Sequence, residues 1–261
     1  MKDRIVLSVI TISYNSAGDG LEKTIASIVE QKDNNPLIEY IVIDGGSTDD
    51  SHEIYSRYRS RIDFFTSERD KGISDAFNKG VRAASGQYLW FINAGDHPSL
   101  GSLSYMVSAL QCESEGILYG DMYWVTSGGE QLELRAAEDY AKKIDYVMPF
   151  MHPSTIVSSE VFESIGLFDS RLKRAMDYDL LLRAYRYGFR AKKINRVLSH
   201  MTAGGVHDVD YGKTVFEVFK VAYFSNSGLV KPFMAMIYTY LCQRSPLFNS
   251  IKKLLRAGYE R

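Results

Sequence analysis

Three groups of polar residues directly follow apolar runs of the sequence, and their side chains are of the types that bind ligands. The groups are Ser13-Tyr14-Asn15, Asp44 and Asn93-Ala94-Gly95-Asp96, after the apolar runs Ile5 to Ile12, Ile38 to Ile43 and Tyr88 to Ile92. Ligands bind beyond the carboxyl ends of the strands in an open parallel sheet, so we expect the three groups to form one site. Turn formation accounts for any one group alone, but less well for all three together.

The two aspartates of these groups predict different chemistry. Asp44 begins the segment Asp44-Gly45-Gly46-Ser47, and the chain contains neither G-x-x-x-x-G-K-[ST] nor a G-x-G-x-x-G after its first strand, so a phosphate-cradling loop is not indicated. Asp44 is suited instead to accept a hydrogen bond from a nucleotide base or ribose. Asp96 is suited to a divalent cation, because Mg²⁺ and Mn²⁺ take one or two carboxylates together with substrate phosphates.

The elements that would position these residues alternate between strand and helix. Apolar residues at helical spacing follow the first two strands, with Asp19 available as the cap of one helix and Ser47 or Thr48 as the cap of the next. The other predicted elements are a strand at Ile62 to Phe65, a helix at Ala76 to Ala84, a helix at Pro98 to Leu110, a strand at Gly116 to Val125, and helices at Ser158 to Ile165 and Tyr178 to Tyr187, the last ended by Gly188. This alternation predicts an α/β fold with a doubly wound, mostly parallel sheet and flanking helices.

The composition is that of a globular protein. The 261 residues are 45% hydrophobic and 24% charged, with 31 Lys and Arg against 32 Asp and Glu. These proportions argue against a disordered chain, a fibrous repeat or a strongly cationic nucleic-acid-binding protein, so no nucleic-acid partner is expected. Cys112 and Cys242 lie far apart without neighbours at metal-ligand spacing, which argues against a disulfide scaffold or a Cys-based zinc site.

Five segments, in order, resemble the signatures of the inverting glycosyltransferases of family 2. They are Ser8 to Asn15, Ile43 to Asp49, Glu68 to Gly80, Asn93 to Asp96, and Ala175 to Leu180. The resemblance implies a Rossmann-like GT-A fold. It also implies transfer of a sugar from a nucleotide-sugar donor, a UDP-sugar, to a glycan or polyprenyl-linked acceptor in bacterial surface-polysaccharide biosynthesis.

The resemblance implies roles for individual residues as well. It makes Asp177 the general base, Asp96 a ligand of Mn²⁺ or Mg²⁺, and Asp44 the residue that binds uracil. The other residues that it implies for donor binding are Ile12, Ser13, Tyr14, Asn15, Lys71, Asp75, Asn78, Asn93 and Gly95.

The resemblance implies three further residues. His207 stands where some relatives carry an additional metal or phosphate ligand. His152 and Asp179 are candidates for contacts with acceptor or phosphate. Packing is an equally good interpretation of His152, and a first-turn acid stabilised by the helix dipole is the better interpretation of Asp179.

Two departures from the family pattern affect the interpretation. Asn93 and Gly95 stand where some members have metal-binding acids, and Met176 stands where Glu is common before the base. A non-catalytic, nucleotide-sugar-binding subunit of a polysaccharide assembly complex is therefore the alternative function, although retention of Asp96 and Asp177 argues against it. A sugar nucleotidyltransferase would need a Gly-rich basic loop after the first strand, and the sequence has none there.

Charge is unevenly distributed along the chain. Residues 212–261 hold 8 Lys and Arg against 2 Asp and Glu, which leaves 23 basic and 30 acidic residues in 1–211. We predict a GT-A catalytic domain over 1–211 and a basic, aromatic, helical tail over 212–261. Two alternatives remain for the tail: docking on an anionic membrane, or packing on the domain or on a second subunit as a homodimer. With neither a signal peptide nor a membrane span recognised, we expect a cytoplasmic enzyme, located on the inner face of the plasma membrane if the tail docks there.

Overall fold

A parallel half-sheet forms the N-terminal part of the protein. The computed structural model describes residues 4–33, 35–112, 115–126, 128–203, 211–225 and 228–244. Its first strands are β1 (Leu7–Ser13), β2 (Ile38–Asp44), β3 (Phe64–Ser67) and β4 (Tyr88–Phe91), which lie in the order β3-β2-β1-β4 and are all parallel. Helices α1 (Leu21–Lys32), α2 (Ser51–Tyr58) and α3 (Ile73–Ala83) connect them. The predicted alternation of strand and helix is confirmed here.

The second half of the sheet is mixed. Its strands are β5 (His97–Pro98), β6 (Ile117–Val125), β7 (Gln131–Leu134), β8 (Thr155–Ser158) and β9 (Ala191–Thr202), and its helices are α4 (Ser102–Leu110), α5 (Ser159–Ile165) and α6 (Met176–Tyr187). Strand β8 runs antiparallel to both β4 and β6, whereas β9 is parallel to β6. The sheet therefore continues as β4-β8-β6-β9-β5, with β7 paired to β6. The α/β class is confirmed, and the parallel arrangement gives way to a mixed one after β4.

The predicted helix caps are wrong at two of three places. Gly20, with a left-handed φ of 87°, precedes α1 in place of Asp19, and Asp50 precedes α2 in place of Ser47 or Thr48. Neither helix start has a side-chain capping bond. The Ser47 hydroxyl is used by the loop after β2 instead, as described below. Gly188 ends α6 with a φ of 115°, as predicted.

Both faces of the parallel strands are buried. Along β1, Ile10 and Ile12 pack on the side of α3, while Leu7 and Val9 pack on the side of α1. This alternation follows from the period-2 geometry of a strand, and burial of both faces explains why the predicted strands are continuous apolar runs. Trp90 is fully buried in β4, and its indole N–H donates to the Pro153 carbonyl at 2.8 Å.

The described part of the tail is helical and rests on the rest of the protein. The first tail helix (Tyr211–Phe224) buries Val221 and Ala222 in the same cluster as residues of α6. The second tail helix (Val230–Arg244) packs on the first, with the rings of Phe219 and Phe233 6.3 Å apart. The division at residue 212 stays a prediction, and residues 245–261 lie outside the described residues.

Over the ranges that the structure describes, every helix is too short or too polar to traverse a lipid bilayer.

Candidate functional site

The loops that follow β1 and β2 are joined into one surface. The Gly45 N–H donates to the Ser13 carbonyl at 2.9 Å, and the Asn15 N–H donates to the Ser47 hydroxyl at 2.8 Å. The Asn15 side-chain oxygen in turn accepts the Thr48 N–H at 2.8 Å. Asn15 has a φ of 49°, a left-handed conformation that Asn tolerates better than most residues. The structure therefore brings together the first two of the three predicted groups.

Asp44 lies at the centre of this double loop and is completely buried. Its Oδ1 accepts the hydroxyls of Ser47 at 2.5 Å and Tyr55 at 3.0 Å. Its Oδ2 accepts the Ser67 hydroxyl at 2.6 Å, the Ser47 N–H at 2.9 Å and the Gly46 N–H at 3.2 Å. Five donors thus surround the two carboxylate oxygens.

The protonation of Asp44 follows from these contacts. Burial by itself raises the pKa of the carboxyl, but the hydrogen bonds from Ser47, Ser67 and Tyr55 outweigh burial and hold the pKa below its usual range. Asp44 is therefore ionised and its acceptor capacity is taken up inside the loop. In this conformation it shapes the loop after β2 and does not offer a free oxygen to a nucleotide base.

Asp70 occupies the space in front of Gly45. A β carbon on Gly45 would lie 2.5 Å from Asp70 Oδ2 and 3.3 Å from the Tyr14 ring, so only glycine lets the three residues come this close. Asp70 Oδ1 accepts the Gly72 N–H at 2.9 Å, and no residue of the described ranges donates a hydrogen bond to Oδ2. The Tyr14 side chain is 63% exposed beside it. An open aromatic ring and an available carboxylate oxygen thus lie side by side at the sheet edge.

Asp96 follows β4 at the same edge and is only 7% exposed. Burial raises the pKa of its carboxyl to about 7, opposed only by the Thr202 N–H, which donates to Oδ1 at 3.3 Å. The preceding Gly95 is held by two threonine hydroxyls, since it accepts from Thr202 at 2.7 Å and its N–H donates to Thr24 at 3.0 Å. Asp96 is therefore a firmly positioned carboxylate with little compensation for its buried charge.

A divalent cation fits this arrangement. The side-chain oxygen of Asn93 is buried without a hydrogen-bond partner within the described ranges, so the loop after β4 has a second oxygen of the type that Mg²⁺ and Mn²⁺ bind. Those ranges contain no group of three or more His, Cys, Asp or Glu side chains placed to hold a metal. The protein side of such a site therefore consists of Asp96 with few other ligands, and substrate phosphates and water would complete it. His207, the additional metal ligand that we expected, lies outside the described residues.

Asp177 lies in the first turn of α6 and faces His152. Its Oδ2 is 3.7 Å from His152 Nδ1, and the two side chains are 15% and 17% exposed. The His152 ring packs between Phe77 and Phe91, with centroids 5.2 and 6.1 Å away. His152 thus packs against aromatic rings and also contacts Asp177. Because Phe91 belongs to β4, this pair lies against the strand that leads to Asp96.

Two of the predicted site residues serve the structure of neighbouring loops. The Asn78 amide forms two 2.9 Å hydrogen bonds with the backbone of Phe168, one as donor and one as acceptor, and Asn78 is only 6% exposed. Asp179 accepts from Arg183 at 2.8 Å, and Arg183 also donates to the carbonyls of Ile165 and Leu167. The interpretation of Asp179 as a helical, structural acid is the one that these contacts favour.

The remaining predicted residues surround the loops. Ile12 is buried in the core, and its carbonyl accepts the Ala94 N–H at 3.2 Å. The Ser13 hydroxyl lies 2.6 Å from that of Tyr55. Lys71 is exposed, and its N–H donates to Asp75 Oδ2 at 3.0 Å, which orders the turn into α3.

Comparison with known proteins identifies the family. The sequence profile "Glycosyl transferase family 2" matches residues 8–165, more than half of the chain. The chain belongs to glycosyltransferase family 2. AmsB of Erwinia amylovora, an amylovoran biosynthesis glycosyltransferase, is 28% identical over 268 residues that cover 95% of this chain and 85% of AmsB. Rv1514c of Mycobacterium tuberculosis, an uncharacterized glycosyltransferase, is 44% identical over 90 residues, so the match spans about a third of that relative, 34%.

Two solved structures share the fold. S. aureus TarS 1–349 in complex with UDP-GlcNAc matches with a TM-score of 0.66 at 18% identity, over 83% of this chain and 66% of that one. The mannosyltransferase PcManGT from Pyrobaculum calidifontis, in complex with GDP-Man and Mn²⁺, matches with a TM-score of 0.64 at 16% identity, over 98% of this chain and 80% of that one. The family 2 chain described here therefore has the GT-A fold.

Sequence reasoning missed two residues of the site. Asp70 lies within the segment that resembles the third family signature, and the glycine after Asp44 was the available signal, because a strand-end glycine often marks a close approach. Thr202 gave no signal, because it reaches Gly95 and Asp96 only through the pairing of β9 with β6 and β5.

The hydrogen bonds of Asp44 predict a pH-dependent stability. Because the folded pKa is below the unfolded one, Asp44 stabilises the fold above the unfolded pKa of about 3.9, and this contribution is lost as pH falls through the folded pKa. We expect Asp44→Asn to lower the free energy of unfolding by about 2 kcal/mol at pH 7 and by less at pH 3. Urea unfolding at both pH values measures this.

Asp33→Asn is the matched control for that measurement. Asp33 is 42% exposed and forms a surface ion pair with Arg61 at 2.6 Å, so its loss should change stability by less than about 1 kcal/mol. An Asp44→Asn protein as stable as the wild type at pH 7 would contradict the structural role of Asp44.

Proposed function

We propose that this chain is an inverting glycosyltransferase that transfers a sugar from a UDP-sugar to a glycan or lipid-linked acceptor in bacterial polysaccharide biosynthesis. One observation carries the proposal. The buried Asp96 lies in the loop after β4, and the partly buried Asp177 contacts His152, whose ring stacks on Phe91 of the same strand. A nucleotide-binding subunit without catalysis needs the first carboxylate but has no use for the second.

The two carboxylates divide the reaction between them. The acceptor hydroxyl oxygen forms a bond to the anomeric carbon of the donor sugar, and its proton passes to the Asp177 carboxylate, which acts as general base. The bond from the anomeric carbon to the phosphate oxygen breaks, and UDP leaves with the electron pair. Attack opposite to the leaving group inverts the anomeric centre.

Asp96, with Asn93 beside it, is the part of the chain that would hold a divalent cation. A bound Mn²⁺ or Mg²⁺ supplies stabilisation of the negative charge that develops on the leaving diphosphate. Burial raises the pKa of Asp96 to about 7, so the protein alone stabilises its negative charge poorly. A neighbouring cation would favour the ionised form, and this supports the assignment. The complex of PcManGT with GDP-Man and Mn²⁺ agrees with a metal-dependent donor site.

Base recognition is better assigned to Asp70 than to Asp44. Asp44 has no free oxygen, whereas Asp70 Oδ2 is available next to the exposed ring of Tyr14. A carboxylate accepts a hydrogen bond, so it favours a base that presents a ring N–H, such as uracil or guanine, over cytosine, which presents a ring acceptor there. UDP-GlcNAc in TarS and GDP-Man in PcManGT both meet this rule, and our proposal for this chain is uracil.

The tail is proposed to bring the enzyme to its acceptor at the inner face of the plasma membrane. Its two helices expose large apolar side chains, among them Phe224 at 79%, Val230 at 73% and Met234 at 61%. Basic residues accompany them, including the exposed Lys220 and Lys231. A surface of apolar and basic side chains suits an anionic bilayer that holds a polyprenyl-linked acceptor.

Loss of the proposed base predicts loss of transfer. We expect Asp177→Asn to lower kcat for Mn²⁺-dependent UDP release with acceptor by on the order of 10²- to 10⁴-fold, because the amide cannot accept the proton. Asp33→Asn, at the C-terminal end of α1, should keep wild-type kcat. Equal transfer by Asp177→Asn and wild type would remove Asp177 as base, and absence of any turnover in the wild type would favour the binding-subunit alternative.

The Asp70 assignment predicts a change in nucleotide preference. With Mn²⁺ present, we expect UDP to raise the Tm of the wild type more than CDP does. Asp70→Asn should weaken UDP binding by about tenfold, because a charge-assisted hydrogen bond is lost, and should narrow the gap to CDP. Gly45→Ala should act in the same direction, since its β carbon displaces the Asp70 carboxylate.

Glu68→Gln is the control for nucleotide preference. Glu68 lies in the same segment but forms an ion pair with Lys79 at 3.0 Å. The Glu68→Gln protein should therefore prefer UDP over CDP as the wild type does. If Asp70→Asn keeps the wild-type preference for UDP over CDP, a residue other than Asp70 recognises the base.

The tail surface predicts membrane binding that depends on its apolar side chains. We expect the full chain to co-sediment with anionic vesicles, and less so at high salt. The double substitution Phe224→Ser and Met234→Ser should weaken binding by at least about tenfold, because two large apolar groups no longer enter the bilayer. Leu100→Ser, which changes a 90% exposed leucine outside the tail, should bind as the wild type does. Vesicle binding that is unaffected by the double substitution, or absent in the wild type, would favour the homodimer alternative.

A further inference from the structure

The loop that precedes the proposed catalytic base is held by a carboxylate from the tail. Three consecutive backbone N–H groups, those of Lys173, Arg174 and Ala175, donate to Glu217 Oε2 at 3.1, 2.6 and 2.8 Å, and the N–H of Lys173 also lies 3.3 Å from Oε1. Glu217 lies in the first tail helix, more than forty residues later in the chain. A single side chain thus accepts hydrogen bonds from the three backbone N–H groups directly before α6.

Helix α6 has no capping side chain at its N-cap position, and within its first turn Asp177 Oδ1 accepts the Tyr178 N–H at 2.8 Å. Its N-cap position is Ala175, which cannot accept a hydrogen bond through its side chain, and Asp177 is the second residue of the helix. The first N–H groups of a helix lack partners within the helix and carry partial positive charge. The Glu217 carboxylate accepts hydrogen bonds from the N–H groups directly before the helix. A residue distant in sequence thus supplies the acceptor that a Ser or Asp at the N-cap position supplies in other helices.

The first tail helix is held against the body independently of this contact. Val221 and Ala222 are buried with residues of α6, and Val218 packs against the same cluster one turn earlier. Positions 218, 221 and 222 share a helical face. Glu217 therefore extends from a firmly seated helix, which makes it a stable anchor for the loop.

The rest of the loop is anchored to α3. The Asn78 amide holds the backbone of Phe168 at 2.9 Å, and the Ser74 hydroxyl donates to the Leu172 carbonyl at 2.8 Å. Glu217 takes over at the next residue, Lys173. The segment between α5 and α6 is thus fixed at one end by α3 and at the other by the first tail helix, and Asp177 comes two residues after the last contact with Glu217.

We propose that Glu217 is a positioning residue that sets the location of Asp177 by clamping residues 173–175. The inference rests on the proposed function, because it assigns a role in the reaction whose base is Asp177. Glu217 contacts neither donor nor acceptor in this role and acts through the backbone of the loop. A displacement of about 1 Å at a reacting group can lower a rate by on the order of 100-fold.

The test compares Glu217→Ala and Glu217→Gln in the full chain by steady-state kinetics of UDP release. Glu217→Ala should lower kcat by about 10- to 100-fold while KM for the UDP-sugar stays within about twofold, because other elements form the donor site. Glu217→Gln retains an acceptor oxygen and should recover part of kcat. Glu163→Ala, an exposed glutamate on α5, is the matched control and should behave as the wild type.

Hydrogen–deuterium exchange of the 173–175 amides gives a readout that does not depend on activity. Exchange should accelerate in Glu217→Ala and less in Glu217→Gln, at a Tm that shows both proteins folded. Unchanged kcat in Glu217→Ala, unchanged exchange, or a parallel rise in KM for the donor would each overturn the positioning role. Failure of the wild type to transfer sugar at all would instead overturn the proposed function, so the two failures are distinguishable.

Discussion

A carboxylate that leaves water at the edge of a sheet must be compensated, and the architecture of this protein depends on how that is done at three places. Asp44 is compensated completely, by five donors from its own loop and from α2 and β3. Asp96 is compensated by little more than one backbone N–H, so its pKa rises to about 7. Asp177 lies beside His152. Asp44 holds its loop together. Asp96 and Asp177 are the carboxylates that we propose for a cation and for the acceptor hydroxyl.

Asp44 and Asp96 are the same residue type and each follows a strand, but the hydrogen bonds around their carboxylates differ. A carboxylate with all its acceptor positions filled makes its loop rigid, because its hydrogen-bond donors tie that loop to α2 and β3. A poorly satisfied carboxylate favours a cation, because the cation removes the cost of the buried charge. The contrast between Asp44 and Asp96 therefore gives Asp44 a structural role and supports our proposal that Asp96 is a metal ligand.

The tail also contacts the region around Asp177. Its first helix contributes apolar side chains to the cluster around α6 and a carboxylate to the loop before Asp177. Its outer surface carries the exposed aromatic and apolar residues that we assign to the membrane. The first tail helix thus contacts the loop before Asp177 on one side and carries part of the proposed docking surface on the other, so that our proposals connect the location of the enzyme with the geometry of its site.

Much of the parallel half of the fold was predictable, because strands buried on both faces leave continuous apolar runs and the helices between them leave a period of 3.6 residues. The caps of α1 and α2 were not, since the serine expected to cap α2 is used by Asp44 instead. Strand β9 was not predicted either, because seven of its twelve residues are polar and its pairing with β6 is long-range. The site residues divide in the same way: Asp96 and Asp177 follow local signals, while Asp70 and Glu217 act through contacts distant in sequence.

The sequence by itself determined the class of fold and the family, and it predicted the edge of the sheet at which ligands bind, because periodicity and short motifs are local properties of the chain. Only the tertiary structure decided which acids at that edge are available. It showed that Asp44 and Asn78 are consumed by neighbouring loops, that Asp70 faces the space before Gly45, and that Glu217 holds the segment before the base. Availability depends on which donors surround a side chain after folding, and those donors come from residues tens of positions away.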